Sequence, residues 1–336
     1  MNRNIEELNN LLNKHFKKSK NSILSIGIKT NDKDFYYDWN TPKDHHDMVF
    51  GLGSVSKTII STYICEMVDK KTIDINQKID KYLSLNHKID YPKVIDLLTH
   101  TSGYHAFIPI RSSIWTLITK GFNKKNIYQN IDNEWLKKTL NKIKPFKKKR
   151  YRYSDFNFAV LALIIEEIEK KPFKEIISDF MVNQLGMKNS FYATKDFSIK
   201  DSYSWIWEDD NPFLASGGMF STVKDLLNFL DYQKNNKEKL FISHEKYHRT
   251  NLNKNIFTGF SWVSFYNGKF FWHIGGQGFY RSYILFNLKK DISIVILSTV
   301  DIDVQHVNRL GSSIHNNIKR NNELLYDFLL TYSYNH

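Results

Sequence analysis

Gly51-Leu52-Gly53-Ser54-Val55-Ser56-Lys57 is the stretch on which the reading of this chain turns. It runs straight into a segment where Ile59, Ile60, Tyr63, Ile64, Met67 and Val68 recur at helical spacing. The pattern predicts a helix with Ser54 at its amino terminus and Lys57 one turn later on the same face. Backbone N–H groups and the helix dipole favour negative charge near Ser54. An amine three residues beyond a hydroxyl is within reach of it, as a nucleophile and its base require. To act near neutral pH, Lys57 would need a pKa of about 7–8 instead of about 10.4, a change of about 4 kcal/mol. Burial and neighbouring dipoles supply shifts of that size. Taken alone, the spacing also fits a serine helix cap followed by a solvated lysine.

Two further stretches carry chemistry. Tyr151-Arg152-Tyr153-Ser154-Asp155-Phe156-Asn157 leads into Phe158–Ile168, apolar on nearly every side and therefore expected to be a buried helix. Asp155 fits a helix N-cap, and Tyr153 fits either a packing tyrosine or a proton shuttle beside an ammonium group. His273-Ile274-Gly275-Gly276-Gln277-Gly278 closes a strand-like run. Its glycines allow close approach to the strand backbone, and an N–H there can form half of an oxyanion hole. By itself His273 reads equally as a structural histidine.

Working outward, Ile5–Phe16 has helical leucine spacing, and Ser22–Ile28 with Phe35–Trp39 reads as a hairpin around Thr30-Asn31-Asp32. The middle of the chain, to about residue 240, reads as helices. Strand-like runs follow at Thr258–Phe265, Lys269–His273, Tyr280–Asn287 and Ile292–Ser298, with turns at Asn267-Gly268 and 289–291, then a helix over Val304–Lys319. Strands at both ends with helices between predict one antiparallel sheet built from both termini and an inserted helical unit. The expected division is 1–55 with 240–336 as the sheet domain and 56–239 as the mainly helical domain, the active site lying between them. Tyr104–Asp132 and Asp196–Pro212 read as long connections; the second carries Trp205 and Trp207, which either line a pocket or pack.

With 41% hydrophobic and 15% aromatic residues, the chain is too apolar for intrinsic disorder. No apolar run reaches the ~18–20 residues of a membrane span; the longest, Phe158–Ile165, stops at Glu166. A single cysteine, Cys65, excludes a disulfide framework and a cysteine-rich zinc site. No secretory signal opens the sequence, so with Met1 as the natural start the expectation is a cytoplasmic protein. The net charge of +13 comes mainly from lysine, alongside abundant Asn and Ile, which reads as coding bias. No nucleic-acid-binding motif accompanies it, so no specific nucleic-acid partner is expected.

The three stretches, in this order, resemble the serine β-lactamase and penicillin-binding-protein-like family, in the branch of class C β-lactamases, DD-peptidases, D-aminopeptidases and related esterases. That family carries S-x-x-K, Y-x-N or a variant, and K-T-G or H-x-G; here they read Ser54-Val55-Ser56-Lys57, Tyr153-Ser154-Asp155 and His273-Ile274-Gly275. Three more phrases are similar: Asp96-Leu97-Leu98-Thr99-His100-Thr101-Ser102-Gly103, Leu185-Gly186-Met187-Lys188-Asn189-Ser190, and Ser216-Gly217-Gly218-Met219-Phe220-Ser221-Thr222 with Asp225-Leu226. The resemblance implies an α+β fold, a five-stranded antiparallel sheet flanked by helices beside a helical domain. It implies Ser54 as acylated nucleophile, Lys57 as its base, Tyr153 in the proton relay, and the N–H groups of Ser54 and Gly276 as oxyanion hole. His273 would tune the relay or hold a substrate carboxylate, and Asp155 and Gly275 would meet the substrate. Neither metal nor cofactor is implied.

Two departures bear on substrate. Asp155 stands where Asn is usual and accepts hydrogen bonds only; ionised, it raises the pKa of Lys57. Asp155 therefore either faces away as a cap or selects a substrate that presents donors. His273 stands where many β-lactamases have Lys. The expectation is a hydrolase of small amides or esters, of peptidase or esterase type, ahead of a true β-lactamase or penicillin-binding DD-carboxypeptidase. A catalytically silent ligand- or partner-binding member is the alternative of another class. Lys144–Arg152, rich in cations just before Tyr153, suggests an anionic substrate, or is simply a solvated run. Oligomeric state is not legible.

Overall fold

A computed structural model of the protein describes residues 23–299 except 31–33, 40–46, 106–125, 148–149, 195–204, 251–254, 266–269 and 290. The helices expected at Ile5–Phe16 and Val304–Lys319, the turn at Asn267-Gly268 and most of the 104–132 connection lie outside the described residues.

The strands are β1 Ile23–Lys29, β2 Asp34–Trp39, β3 Phe50–Gly51, β4 Phe191–Tyr192, β5 Met219–Ser221, β6 His248–Arg249, β7 Ile256–Thr258, β8 Val263–Phe265, β9 Phe270–Gln277, β10 Tyr280–Asn287 and β11 Ile292–Thr299. One sheet runs β2-β1-β11-β10-β9-β8-β7-β6 and is antiparallel throughout. The expected five strands are its long part, β2-β1-β11-β10-β9; three short strands extend it to eight. The sheet joins the two ends of the described chain, since β1 pairs β11 from Ile23↔Thr299 to Lys29↔Ser293. A small second sheet, β3-β5-β4, carries the chain into the turn that holds Ser54.

The helices are α1 Ser56–Asp69, α2 Val94–Leu98, α3 Asn133–Leu140, α4 Asp155–Glu169, α5 Phe173–Asn183, α6 Leu214–Gly217, α7 Val223–Asn235 and α8 Phe241–His244. α4 is buried from Phe156 to Ile165, as its all-round apolar sequence requires. It stops at Lys170, in the left-handed region at φ 55°, and Pro172 then precedes α5. α7 begins with Thr222, whose hydroxyl accepts the Asp225 N–H at 3.1 Å. Buried Asp225 accepts in turn from Asn189 N–H and Ser190 O–H, both at 2.7 Å. Two of the motif-like phrases, Leu185–Ser190 and Ser216–Leu226, thereby meet at one carboxylate. Trp207 is fully buried and stacks with Tyr128, and Trp205 lies beside both, so both tryptophans pack. Among the described residues no helix is long and apolar enough to cross a membrane.

Candidate active site

The turn that carries Ser54 is a single 3-10 turn, Gly53–Val55, running directly into α1. Its backbone is fixed on both sides: Leu52 N–H donates to Met219 C=O at 2.8 Å, and Ser282 O–H donates to Leu52 C=O at 2.6 Å. Gly53 sits at φ +51°, in the left-handed region. β9 lies against this turn with no side chain between them. A Cβ on Gly53 would meet the Gly276 backbone at 2.4–2.5 Å; one on Gly275 would lie 2.0 Å from Leu52 O and 3.0 Å from Ser54 N. Two glycines therefore let β9 and this turn approach backbone to backbone, with the Gly276 strand next to the Ser54 amide.

Lys57 projects from the first turn of α1 and is completely buried. Its Nζ hydrogen-bonds Ser54 Oγ at 3.1 Å and Ser216 C=O at 2.6 Å, and forms an ion pair with Asp155 Oδ1 at 2.6 Å. A neutral amine keeps the Ser216 bond and turns its lone pair to the Ser54 O–H, so the same geometry serves either charge state. Burial lowers the Lys57 pKa below the usual lysine value, while Asp155 pulls it back upward through charge and hydrogen bonding.

Asp155 neither caps α4 nor faces away. Ser154 occupies the N-cap position, without a side-chain capping bond. The Asp155 carboxylate bridges Lys57 and Tyr128, whose O–H donates to Oδ2 at 2.5 Å. The pull of the buried ammonium decides its direction.

Tyr153 places its ring centroid 5.1 Å from Lys57 Nζ. Its hydroxyl is buried and lacks a hydrogen-bond partner of good geometry among the described residues. Burial and the charge of Asp155 hold the phenol protonated, well above the usual tyrosine value, with Ser54 pulling the other way. His100 clamps this segment. Its C=O accepts the Arg152 N–H at 2.7 Å, its Nδ1 accepts the Ser154 N–H at 3.2 Å, and its ring lies 4.5 Å from the Tyr153 ring. Burial, Lys57 and His273 keep His100 neutral, far below the usual histidine value.

His273 Nδ1 lies 2.7 Å from the Ile274 C=O, which can only accept, so Nδ1 carries the proton and Nε2 is left as acceptor. Burial first, then Lys57, depresses its pKa to about 3, with the Ile274 bond opposing. The imidazole is thus neutral at ordinary pH.

A cavity of about 460 Å³ opens at Ser54, lined also by Tyr153, His273, Trp272, Val263 and Arg152. This volume suits a small molecule. Arg152 is exposed, with its guanidinium 4.9 Å over the Phe146 ring. Of the sequence-level candidates, Ser54, Lys57, Tyr153, Asp155, His273, Gly275 and Gly276 all converge. Sequence reasoning missed Tyr128, Trp272 and the clamping work of His100. His100 stood inside a motif-like phrase, which was its only signal; Tyr128 and Trp272 carried none.

Comparison with known proteins bears on family and fold. The sequence profile of the Beta-lactamase family matches residues 28–312. Protein flp of Staphylococcus aureus (strain MW2) is 21% identical over 287 residues, covering 77% of this chain and 55% of that protein. The chain spans about half the length of the curated relatives it first matches. Among solved structures, a class C β-lactamase gives a TM-score of 0.73 at 17% identity, over 92% of this chain and 94% of that one. A D-stereospecific amidohydrolase from Streptomyces sp. gives 0.72 at 17% identity, over 90% and 97%. At such identities the structural likeness is one of fold.

Proposed function

The chain belongs to the β-lactamase family, and from that premise we propose that it is a serine hydrolase that acylates Ser54 with small amides or esters, of peptidase or esterase type. One observation carries the reading: Ser54 Oγ lies 3.1 Å from a fully buried lysine amine at the mouth of a cavity. A lysine with no access to water and a lowered pKa is a competent base.

In this mechanism neutral Lys57 takes the Ser54 proton as Oγ attacks the substrate carbonyl carbon. The carbonyl oxygen becomes an oxyanion facing the Ser54 and Gly276 N–H groups. Collapse breaks the bond to the leaving amine or alkoxide, which takes a proton from the Lys57 ammonium through the Tyr153 phenol. Water then attacks the ester carbonyl, gives a proton back along the same route, and the acid product leaves with Ser54 protonated. His273 is neutral, so its Nε2 acts by accepting a hydrogen bond from substrate or relay and not as a cationic anchor. Arg152 at the cavity wall is the cation that would meet an anionic substrate group. D-amino-acid-containing substrates fit this reading, with β-lactam hydrolysis second.

The Lys57–Asp155 ion pair favours one other reading, a binding protein whose lysine stays charged and whose serine does not react. Intact-mass spectra of wild type and Ser54→Ala, after incubation with a penicillin and with an activated phosphonate, separate the two. An adduct on wild type alone supports the hydrolase. No adduct with either probe supports the binding protein.

A further inference from the structure

Among the described residues the Asp155 carboxylate meets one ammonium, Lys57, and one side-chain hydrogen-bond donor, Tyr128, and the reaction above takes the positive charge away. When Lys57 is an ammonium, the carboxylate faces a full positive charge at 2.6 Å. When Lys57 is neutral, that charge is gone. The carboxylate then lies mostly out of water, with 16% of its side chain exposed, and the Tyr128 O–H at 2.5 Å is its side-chain donor among the described residues. A bare carboxylate there would hold the proton on Lys57 and stop it serving as a base.

We propose that Tyr128 is a positioning residue that keeps Asp155 hydrogen-bonded while Lys57 is neutral, so that the Tyr128–Asp155 pair sets how readily Lys57 releases its proton. The inference rests on the hydrolase reading for its purpose, though not for its test. Tyr128 is built to hold its hydroxyl in place. Its ring stacks on Phe213 at 4.2 Å and 10°, its N–H donates to Asn126 Oδ1 at 2.9 Å, and its C=O accepts from Asn211 Nδ2 at 2.7 Å. Burial and Asp155 keep the phenol protonated and hence a donor.

The groups around Lys57 are few. They are Ser54 from the nucleophile turn, Asp155 and the Phe158 ring from α4, the Ser216 C=O from α6, Tyr153, His100 and His273. Both histidines are neutral and Tyr153 is a neutral phenol, so among the described residues Asp155 is the charged group in contact with Lys57. Tyr128 faces Asp155, with Tyr153 nearby.

The sign follows. Removing the Tyr128 hydroxyl destabilises the state with neutral Lys57 and charged Asp155 more than the ion pair, so Lys57 holds its proton to higher pH. Removing the carboxylate itself lets Lys57 lose its proton at lower pH. Without the carboxylate, Tyr128 has nothing to act through.

The test titrates Lys57 directly, by NMR of protein carrying ¹³Cε-lysine, with the Lys57 signal assigned by its loss in Lys57→Met. The variants are Tyr128→Phe, which preserves the ring stack, Asp155→Asn, and the double variant. Tyr128→Phe should raise the midpoint by about one pH unit, a tenfold fall in neutral Lys57 at fixed pH. Asp155→Asn should lower it, and adding Tyr128→Phe to Asp155→Asn should change nothing more. A wild-type midpoint in Tyr128→Phe overturns the proposal. So does an equal shift in both backgrounds, which a merely structural role would give, or a Lys57 in Asp155→Asn that stays charged at pH 10. If the wild type forms no Ser54 adduct while the midpoints move as expected, the hydrolase reading fails and the tuning by Tyr128 stands.

Discussion

Replacing Gly275 by Ala tests whether backbone-on-backbone contact builds the site. The new Cβ would lie 2.0 Å from Leu52 O, 2.5 Å from Ser282 Oγ and 3.0 Å from Ser54 N. A carbon–oxygen contact tolerates about 3.3 Å, so β9 must withdraw from Leu52 by about 1.3 Å. Leu52 has little room to yield, because Met219 C=O and Ser282 O–H hold it from both sides. Withdrawal carries the Gly276 N–H away from the Ser54 N–H. One lost oxyanion donor is worth about 2.7–4 kcal/mol, roughly 10²–10³-fold in rate. The overpacking itself costs about 1–3 kcal/mol of stability. The assay is the rate of Ser54 adduct formation by intact mass, with thermal unfolding alongside. Gly186→Ala is the reference: φ is +67° there, yet its nearest contact is Asn228 Nδ2 at 3.9 Å, so it costs about 1–2 kcal/mol of stability far from Ser54. If Gly275→Ala folds and is labelled as fast as Gly186→Ala, the contact does not build the site.

Three further outcomes are expected. His100→Ala leaves the Ser154 N–H without its acceptor and Tyr153 without the ring packed against it, losing about 1–3 kcal/mol of stability and slowing adduct formation; an unchanged labelling rate would sever His100 from Tyr153. Burial depresses His244 and His273 to about 3, against about 6.5 unfolded, so the folded form binds fewer protons in between. Stability is then complete above pH 6.5 and falls toward pH 3 by about 1.4 kcal/mol per unit for each histidine; urea unfolding at pH 7, 5 and 4 measures it, and His244→Gln should flatten the slope. Neutralising Lys147, Lys148 and Lys149 together, or Arg152 alone, should reduce the salt dependence of labelling by an anionic substrate analogue; an unchanged dependence removes electrostatic steering.

The long strands were legible because β-branched and aromatic residues dominate them: Tyr280–Asn287 is matched to the residue, and the runs at Ser22, Phe35 and Ile292 to within one. Thr258–Phe265 read as one strand and is two. Gly259 N–H turns back to Trp262 C=O at 2.7 Å and Ser261 lies at φ +63°, a bend hidden in an apolar run. Lys269–His273 read as a strand ending before the glycines. It continues through Gln277, because pairing with β10 as far as Gln277↔Tyr280 outweighs the glycines' weak strand preference. The Ser54–Lys57 contact was legible because the two residues lie one helical turn apart. The Tyr128–Asp155–Lys57 chain was not, since its members come from separate segments and meet only through burial of a charge.

Ile23 and Thr299 are hydrogen-bonded across 276 residues of chain. A strand that leads the described chain can find its neighbour only after the last one has been made. At roughly 5–20 residues per second, β1 waits on the ribosome for about 15 s to a minute with its partner edge open. The β9 strand that abuts Ser54 belongs to the same late-arriving part. Reactivity at Ser54 should therefore emerge only once β9 to β11 have left the ribosome, and a reactive probe applied to ribosome-bound chains would time the closing of the sheet.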